Sequence, residues 1–235
     1  MLISIVMPAY NEQERIARTL QRYIDFFRTR DVEFIVVPNN CSDSTVSIVE
    51  EFVDAYPQLV KNHVIRENVG KGGAVLDGFR QASGELIGFV DADGSTAPEE
   101  FNKIIYGVHH YEGAIASRWK RGSKIINANI FREVVSIGFI SVVKMLFWMP
   151  FIDTQCGAKL FRRNALMEVI DKVRTRDMAF DVDLLWRLHS SGCTVVEVPT
   201  AWLDNSASST TLGSPLKLFT SAWHMLVSIL KLRFS

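Results

Sequence analysis

Leu86-Ile87-Gly88-Phe89-Val90-Asp91-Ala92-Asp93-Gly94-Ser95 decides the fold. Leu86–Val90 is apolar without interruption, and two carboxylates follow at i and i+2. So short an apolar run, bounded by turn residues, predicts a strand covered on both faces, the kind found in parallel sheets flanked by helices. Ligands of such sheets gather beyond the carboxyl ends of the strands. Asp91 and Asp93 then stand at the lip of the sheet. Two carboxylates there can hold a hard divalent cation, and the cation can neutralise a departing diphosphate. The alternative for a bare DxD is a pair of solvated turn aspartates.

Outward from this strand, the first half alternates strand and helix. Leu2–Met7, Glu33–Val37, His63–Arg66 and Ala114–Ser117 predict further strands. Asn11 is positioned to cap a helix with Ile16, Leu20, Tyr23, Ile24 and Phe27 on one face, and Ser42 or Asp43 to cap the next. A short helix is expected over Gly73–Ala82, and Pro98 marks the first turn of another, with Glu99 and Glu100 suiting its dipole. Ile125–Met149, Arg163–Val173, Phe180–His189 and Leu212–Phe234 predict helices, and Asp153–Phe161 and Thr194–Pro199 contribute strands. The expected architecture is α/β, a mostly parallel sheet with helices on both faces.

Competing motifs fail on spacing. A calcium-binding EF-hand loop starting at Asp91 needs Gly at its sixth position and Glu at its twelfth, where Thr96 and Asn102 stand. Asp91-Ala92-Asp93-Gly94-Ser95 also matches aspartate-nucleophile phosphatases, but those carry the motif on their first strand, and here it follows the fourth. Asn68-Val69-Gly70-Lys71-Gly72-Gly73 enters a helix with backbone N–H groups able to cradle an anion, yet it is neither GxxxxGK[ST] nor GxGxxG. An ordinary strand-to-helix turn is the other reading. Arg118, Arg132, Lys159, Arg162 and Arg163 can bind phosphate oxygens, Arg118 standing out because it directly follows a strand end. Asp153, Asp181 and Asp183 can supply a base, although Asp181 also suits a helix cap.

Lys+Arg and Asp+Glu are both 26, so no net charge points to nucleic acid. The balance is uneven along the chain. No acidic residue follows Asp204, whereas Lys217, Lys231 and Arg233 do, among Leu216, Phe219, Trp223, Leu226, Ile229 and Leu230 at helical spacing. A basic amphipathic tail predicts an anionic membrane surface as partner, against the alternative of a helix packed on the core. The expected division is 1–205 as catalytic domain and 206–235 as interfacial segment. Cys41, Cys156 and Cys193 form no CxxC pair and fit a reducing cytosol. MLISIVMPAY reads straight into a strand, predicting no signal peptide. No run reaches the roughly 18 uncharged apolar residues of a membrane span, Ser136–Ile152 being broken by Lys144 and Pro150. That segment is either a core helix or a second interfacial one.

VMPAYNE, NNCSDST, ENVGKGGAVLDGF, GFVDADGST, ASRW, DTQCGAKLFRRNAL and AFDVDLLW, spanning Val6 to Trp186, together resemble family-2 glycosyltransferases of the GT-A fold. Within them the resemblance is to the dolichyl-phosphate glucosyltransferase and mannose synthase group. It implies that Pro8, Tyr10 and Glu12 contact the nucleoside, and that Asn39 stands where an aspartate touching base or ribose is common. It places Lys71 near the base or diphosphate, Asp91 and Asp93 on Mg²⁺ or Mn²⁺, and Arg118 and Arg132 on donor and acceptor phosphates. Ser95 stands where mannose synthases often carry Gln. The implied reaction is inverting transfer of a sugar, glucose from UDP-glucose in the first instance, to a polyprenyl phosphate at the cytoplasmic face of a membrane. GDP-mannose as donor and a saccharide as acceptor are the near alternatives. A phosphatase and a non-catalytic nucleotide-sugar binder are the distant ones. A phosphate acceptor, whose second pKa is about 6, is already a nucleophile near neutrality and needs no strong base. A saccharide hydroxyl would make Asp181 or Asp153 central.

Overall fold

Alternating side chains on the strands build two cores, one on each face of a single sheet. In the computed structural model, which describes residues 1–205 and 215–234, seven strands run in the order β3-β2-β1-β4-β7-β5-β8. They are β1 (Ile3–Ala9), β2 (Val32–Pro38), β3 (Val60–Asn62), β4 (Leu86–Val90), β5 (Gly113–Ser117), β7 (Ala158–Arg162) and β8 (Val195–Pro199). On one face Ile5, Met7, Phe34, Val36, Leu86 and Val90 pack with α1 (Ile16–Phe27), α2 (Thr45–Ala55) and α4 (Pro98–Gly107). On the other, Val6, Ile35, Val37, Ile87 and Phe89 pack with α3 (Gly70–Gln81), α5 (Ile130–Phe147), α6 (Arg163–Val169) and α7 (Phe180–Ser190). Every residue of β4 is buried, as its composition requires.

The sheet is mostly parallel, with one departure. β7 runs antiparallel between β4 and β5, with Val90 opposite Ala158 and Leu86 opposite Arg162. The segment 153–157 therefore lies at the lip of the sheet beside the end of β4, and β7 runs away from it. A crossover from β5 to a parallel neighbour would have placed it elsewhere.

Several boundaries differ from expectation, for local reasons. The third strand lies earlier, at Val60–Asn62, and only an isolated bridge, Asn39 to Ile65, extends along the later segment. Asn11 does not cap α1, which begins at Ile16. It occupies the left-handed region at φ 53°, a conformation asparagine tolerates, and its Oδ1 accepts the Ser42 N–H at 2.9 Å. The apolar stretch from Ile125 is not one helix. Lys124–Ile126 forms β6, paired in parallel with β9 (Ala201–Leu203), and α5 starts only at Ile130.

The tail forms a single helix, α8 (Pro215–Phe234), packed against α5 and α7. Ile229 and Leu232 are buried in the core that α5 and α7 share. Trp223 and Leu230 of the expected stripe face outward. Residues 206–214, and the side chains of Phe131, Arg132 and 215–219, lie outside the described residues, so the expected roles of Arg132, Leu216, Lys217 and Phe219 fall there. Among the described residues no helix is long and apolar enough to cross a membrane.

Candidate active site

Loops at the carboxyl ends of β1, β2 and β4, with the glycine-rich turn into α3 and a far wall from later in the chain, enclose a cleft of about 410 Å³. The loop after β1 is laced to the one after β2. Glu12 N–H donates to Thr45 Oγ1 at 2.8 Å, Gln13 N–H donates to Asp43 Oδ2 at 3.1 Å, and Asp43 Oδ1 accepts the Thr45 N–H at 3.0 Å. Pro8, Tyr10, Glu12, Asn39, Lys71, Asp91 and Asp93 all line the cleft, as their placement after strand ends predicted.

Asn39 is buried and bridges to the glycine-rich turn. Its Oδ1 accepts the Val69 N–H and its Nδ2 donates to the Gly70 carbonyl, each at 3.2 Å. An aspartate could accept the first bond but not donate the second. The amide in place of a carboxylate is thus explained by the loop it ties down.

The glycine-rich turn holds an anion less than its composition suggests. Val69 N–H is taken by Asn39, Gly70 N–H by Asn68 Oδ1 at 3.1 Å, and Gly73 N–H by the Arg176 carbonyl at 3.0 Å. Gly70 has φ +73°, and a Cβ there would lie 2.4 Å from the Arg176 oxygen. Close packing of α3 on the Arg176–Phe180 segment therefore requires the glycine, and the positive charge of the turn comes from Lys71. Its Nζ sits 2.6 Å from Asp91 Oδ1. Burial works against that charge, but Asp91, with Asp181 and Asp93, outweighs it and raises the lysine's pKa.

The acidic residues of the cleft repel one another. Burial and the Asp91 charge push the Asp93 carboxyl above its ordinary range. Glu12 is lifted to about 7, by burial first, with Asp93 and Asp91 adding to it against the pull of Arg15, whose guanidinium fork grips both its oxygens at 2.7 and 2.8 Å. Hard oxygen donors gathered at one end of a cleft fit a divalent cation. Among the described residues no cluster of three or more His, Cys, Asp or Glu ligands occurs. Asp91 and Asp93 would thus leave most coordination positions to diphosphate oxygens and water.

Other expected site residues lie elsewhere. Arg118 spends its fork on Asp153, Nε to Oδ2 at 2.8 Å and Nη2 to Oδ1 at 2.9 Å, and its guanidinium lies 5.2 Å from the ring centre of Trp202, a cleft residue. It shapes the cleft wall and does not line it. Burial alone would raise the Asp153 carboxyl, but Arg118 holds it below its ordinary range. Asp181 is buried and bonded to the wholly buried Lys159 at 2.6 Å. Asp183 accepts the Arg174 and Thr175 N–H groups at 2.7 and 2.9 Å. Arg162 and Arg163 bond backbone carbonyls of Tyr111, His109, Ala82 and Gly84, at the opposite edge of the sheet.

Sequence reasoning missed the far wall. Met178, Trp202, Asp204 and Asn205 line the cleft, and Asn205 Nδ2 donates to the Asp93 carbonyl at 2.9 Å. The rule that nominated the other loops, applied beyond the strand ending at Pro199, pointed to this segment.

Solved glycosyltransferases of the GT-A type share this architecture. Glucosyl-3-phosphoglycerate synthase from Mycobacterium tuberculosis, determined with Mn²⁺, UDP-glucose and phosphoglyceric acid, superposes with a TM-score of 0.67 at 18% identity, over 97% of this chain and 78% of that one. The mannosyltransferase PcManGT from Pyrobaculum calidifontis, determined with GDP-Man and Mn²⁺, gives 0.59 at 19% identity, over 86% of this chain and 56% of that longer one. The chain belongs to Glycosyl transferase family 2, whose family model matches residues 4–170. Among curated relatives, the dolichyl-phosphate beta-glucosyltransferase of Dictyostelium discoideum is 28% identical across 99% of this chain and 74% of its own length.

Proposed function

We propose that this chain transfers glucose from UDP-glucose to a dolichyl-type polyprenyl phosphate, with inversion at the anomeric carbon. The observation that carries the acceptor class is the state of Asp153 and Asp181. Each is the obvious base for a hydroxyl acceptor, yet each is buried and locked to a cation, and neither lines the cleft. A phosphate monoester brings its own negative oxygen, so positioning and charge stabilisation suffice. The names of the curated relatives favour glucose and dolichyl phosphate.

In this reading Pro8, Tyr10, Glu12 and Asn39 seat the nucleoside, and Lys71 faces the diphosphate. Asp91 and Asp93 hold Mg²⁺ or Mn²⁺, which when bound neutralises charge on the leaving diphosphate. Arg118 fixes the wall carrying Trp202, and Arg132 on α5 is assigned to the acceptor phosphate. Residues 1–205 carry the chemistry, and 206–235 the interfacial segment.

The same reading places the protein on the cytoplasmic face of a membrane. α5, the residue Trp148 that follows it, and α8 turn Val134, Ile137, Met145, Trp148, Trp223 and Phe234 to the outside, 50% to 84% exposed, with Lys144, Lys231 and Arg233 exposed nearby. An apolar surface with a basic rim suits anionic lipid headgroups. The test is incubation with radiolabelled UDP-glucose and a polyprenyl phosphate in Mg²⁺ or Mn²⁺. Organic-extractable label supports the proposal. Preference for GDP-mannose would change the donor, label on a saccharide would change the acceptor, and release of inorganic phosphate would replace the reaction class.

A further inference from the structure

Lys159 and Asp181 form an ion pair with no access to solvent and no place in the reaction just described. Lys159 is fully buried and Asp181 is 2% exposed. Burying two charges is costly before their attraction is counted, and well-packed apolar residues are often as stable. Such a pair calls for a purpose other than stability.

Its geometry supplies one. Lys159 Nζ donates to Asp181 Oδ1 at 2.6 Å and also to the Cys156 carbonyl at 2.7 Å. The next residue, Gly157, accepts the Asp91 N–H on its carbonyl at 2.9 Å. A Cβ at Gly157 would lie within 3.1 Å of both Asp91 carboxylate oxygens and overlap the nearer one outright. The Asp91 carboxylate therefore rests against the Gly157 Cα, with Lys71 on its Oδ1. A continuous path runs from α7 through β7 to the acidic residue at the end of β4.

We propose that the buried Lys159–Asp181 pair is a positioning device: it pins the Cys156–Gly157 backbone and so sets the orientation of the Asp91 carboxylate toward metal and diphosphate. Asp181 acts through Lys159 and Gly157, not as a base. The proposal rests on the reading of Asp91 as a metal and diphosphate residue.

Mn²⁺ binding to the full chain, followed by electron paramagnetic resonance with and without UDP, tests it beside thermal melting and separate kcat and KM values. Gly157→Ala leaves the ion pair intact and is expected to weaken Mn²⁺ binding at least about tenfold, the usual range for groups that orient metal ligands. The Lys159→Met, Asp181→Leu double variant replaces the pair with apolar side chains and is expected to weaken it similarly in folded protein. Lowered melting temperature with unchanged Mn²⁺ affinity in both would overturn the proposal by making the pair merely structural. Asp181→Asn with unchanged Mn²⁺ affinity and KM, but a collapsed kcat and a lost acidic limb in the pH profile, would overturn it in favour of a base. Asp91→Ala is the control for the underlying reading. If that variant binds Mn²⁺ as wild type does, the metal reading fails and takes this inference with it. If it alone loses Mn²⁺, only the inference fails.

Discussion

The Lys71 ammonium lies 2.6 Å from Asp91 Oδ1, on the carboxylate to which we assign the divalent cation. In the proposed reading the lysine and the metal would share that carboxylate, and the diphosphate would bring enough negative charge for both. Removing the lysine charge should therefore have opposite effects on two measurements. Lys71→Met is expected to tighten Mn²⁺ binding in the absence of nucleotide and to weaken UDP-glucose binding in its presence by about tenfold, the worth of one charge-assisted hydrogen bond of roughly 1.5 kcal/mol. Titration calorimetry of each ligand reads both signs, and a loss of both affinities would show the lysine to be a structural brace.

Asp93 is held above its ordinary pKa by burial and by Asp91, so its charge is a burden on the fold that catalysis would justify. Asp93→Asn should raise the melting temperature of the metal-free protein near neutral pH. Asp93→Ala should cost about 3 kcal/mol or more of transition-state stabilisation, and EDTA should abolish turnover. Wild-type turnover in either condition contradicts the role given to the pair.

Stability should carry the signature of Glu12. Its carboxyl is lifted to about 7 in the fold from an ordinary 4.5, so the folded state binds the extra proton in that window. The stability that this proton contributes is fully present below about pH 4.5 and is lost as pH rises through about 7. Glu12→Gln, which cannot titrate, should shrink the difference in melting temperature between mildly acidic and mildly alkaline buffer. An unchanged difference in metal-free protein would contradict the assignment.

Glu33 makes the opposite prediction at the opposite edge of the sheet. Burial disfavours its charge, but Lys61 Nζ at 2.6 Å, Ser4 Oγ at 2.5 Å, and the N–H and Oγ of Ser83 at 2.7 Å outweigh that and hold it at about 2. Its contribution is present above about 4.5 and lost as pH falls through about 2. Glu33→Ala should cost about 1–3 kcal/mol, chiefly by orphaning the buried Ser4 hydroxyl, read by urea unfolding. Far from the cleft, it should leave kcat and KM unchanged below the melting range.

Lipid attachment is best tested by side chains that the core does not use. Truncating after Asn205 would remove Ile229 and Leu232 from the core, confounding binding with unfolding. Trp148 and Trp223 are 84% and 56% exposed. Replacing both with Ser should leave the melting temperature within the small range of surface changes and reduce flotation with anionic liposomes. Equal flotation of wild type and variant would move the contact surface elsewhere.

The sequence by itself determined the alternation of strands and helices and the edge where chemistry gathers. Apolar runs such as Leu86–Val90 have one stable environment, and parallel strands send all their following loops to one side. That was enough to nominate Pro8, Tyr10, Glu12, Asn39, Lys71, Asp91 and Asp93, which the fold brings into one cleft. Only the tertiary structure decided which charges are available to a ligand. Arg118 and Asp181 look like free functional groups in a linear chain, and both are committed to partners 35 and 22 residues away. Such pairings leave no local periodicity, because they depend on β7 entering the sheet antiparallel between β4 and β5, a topological choice set by how the whole chain packs. The same choice brings Gly157 against Asp91 and makes a glycine and a buried lysine part of the site's geometry.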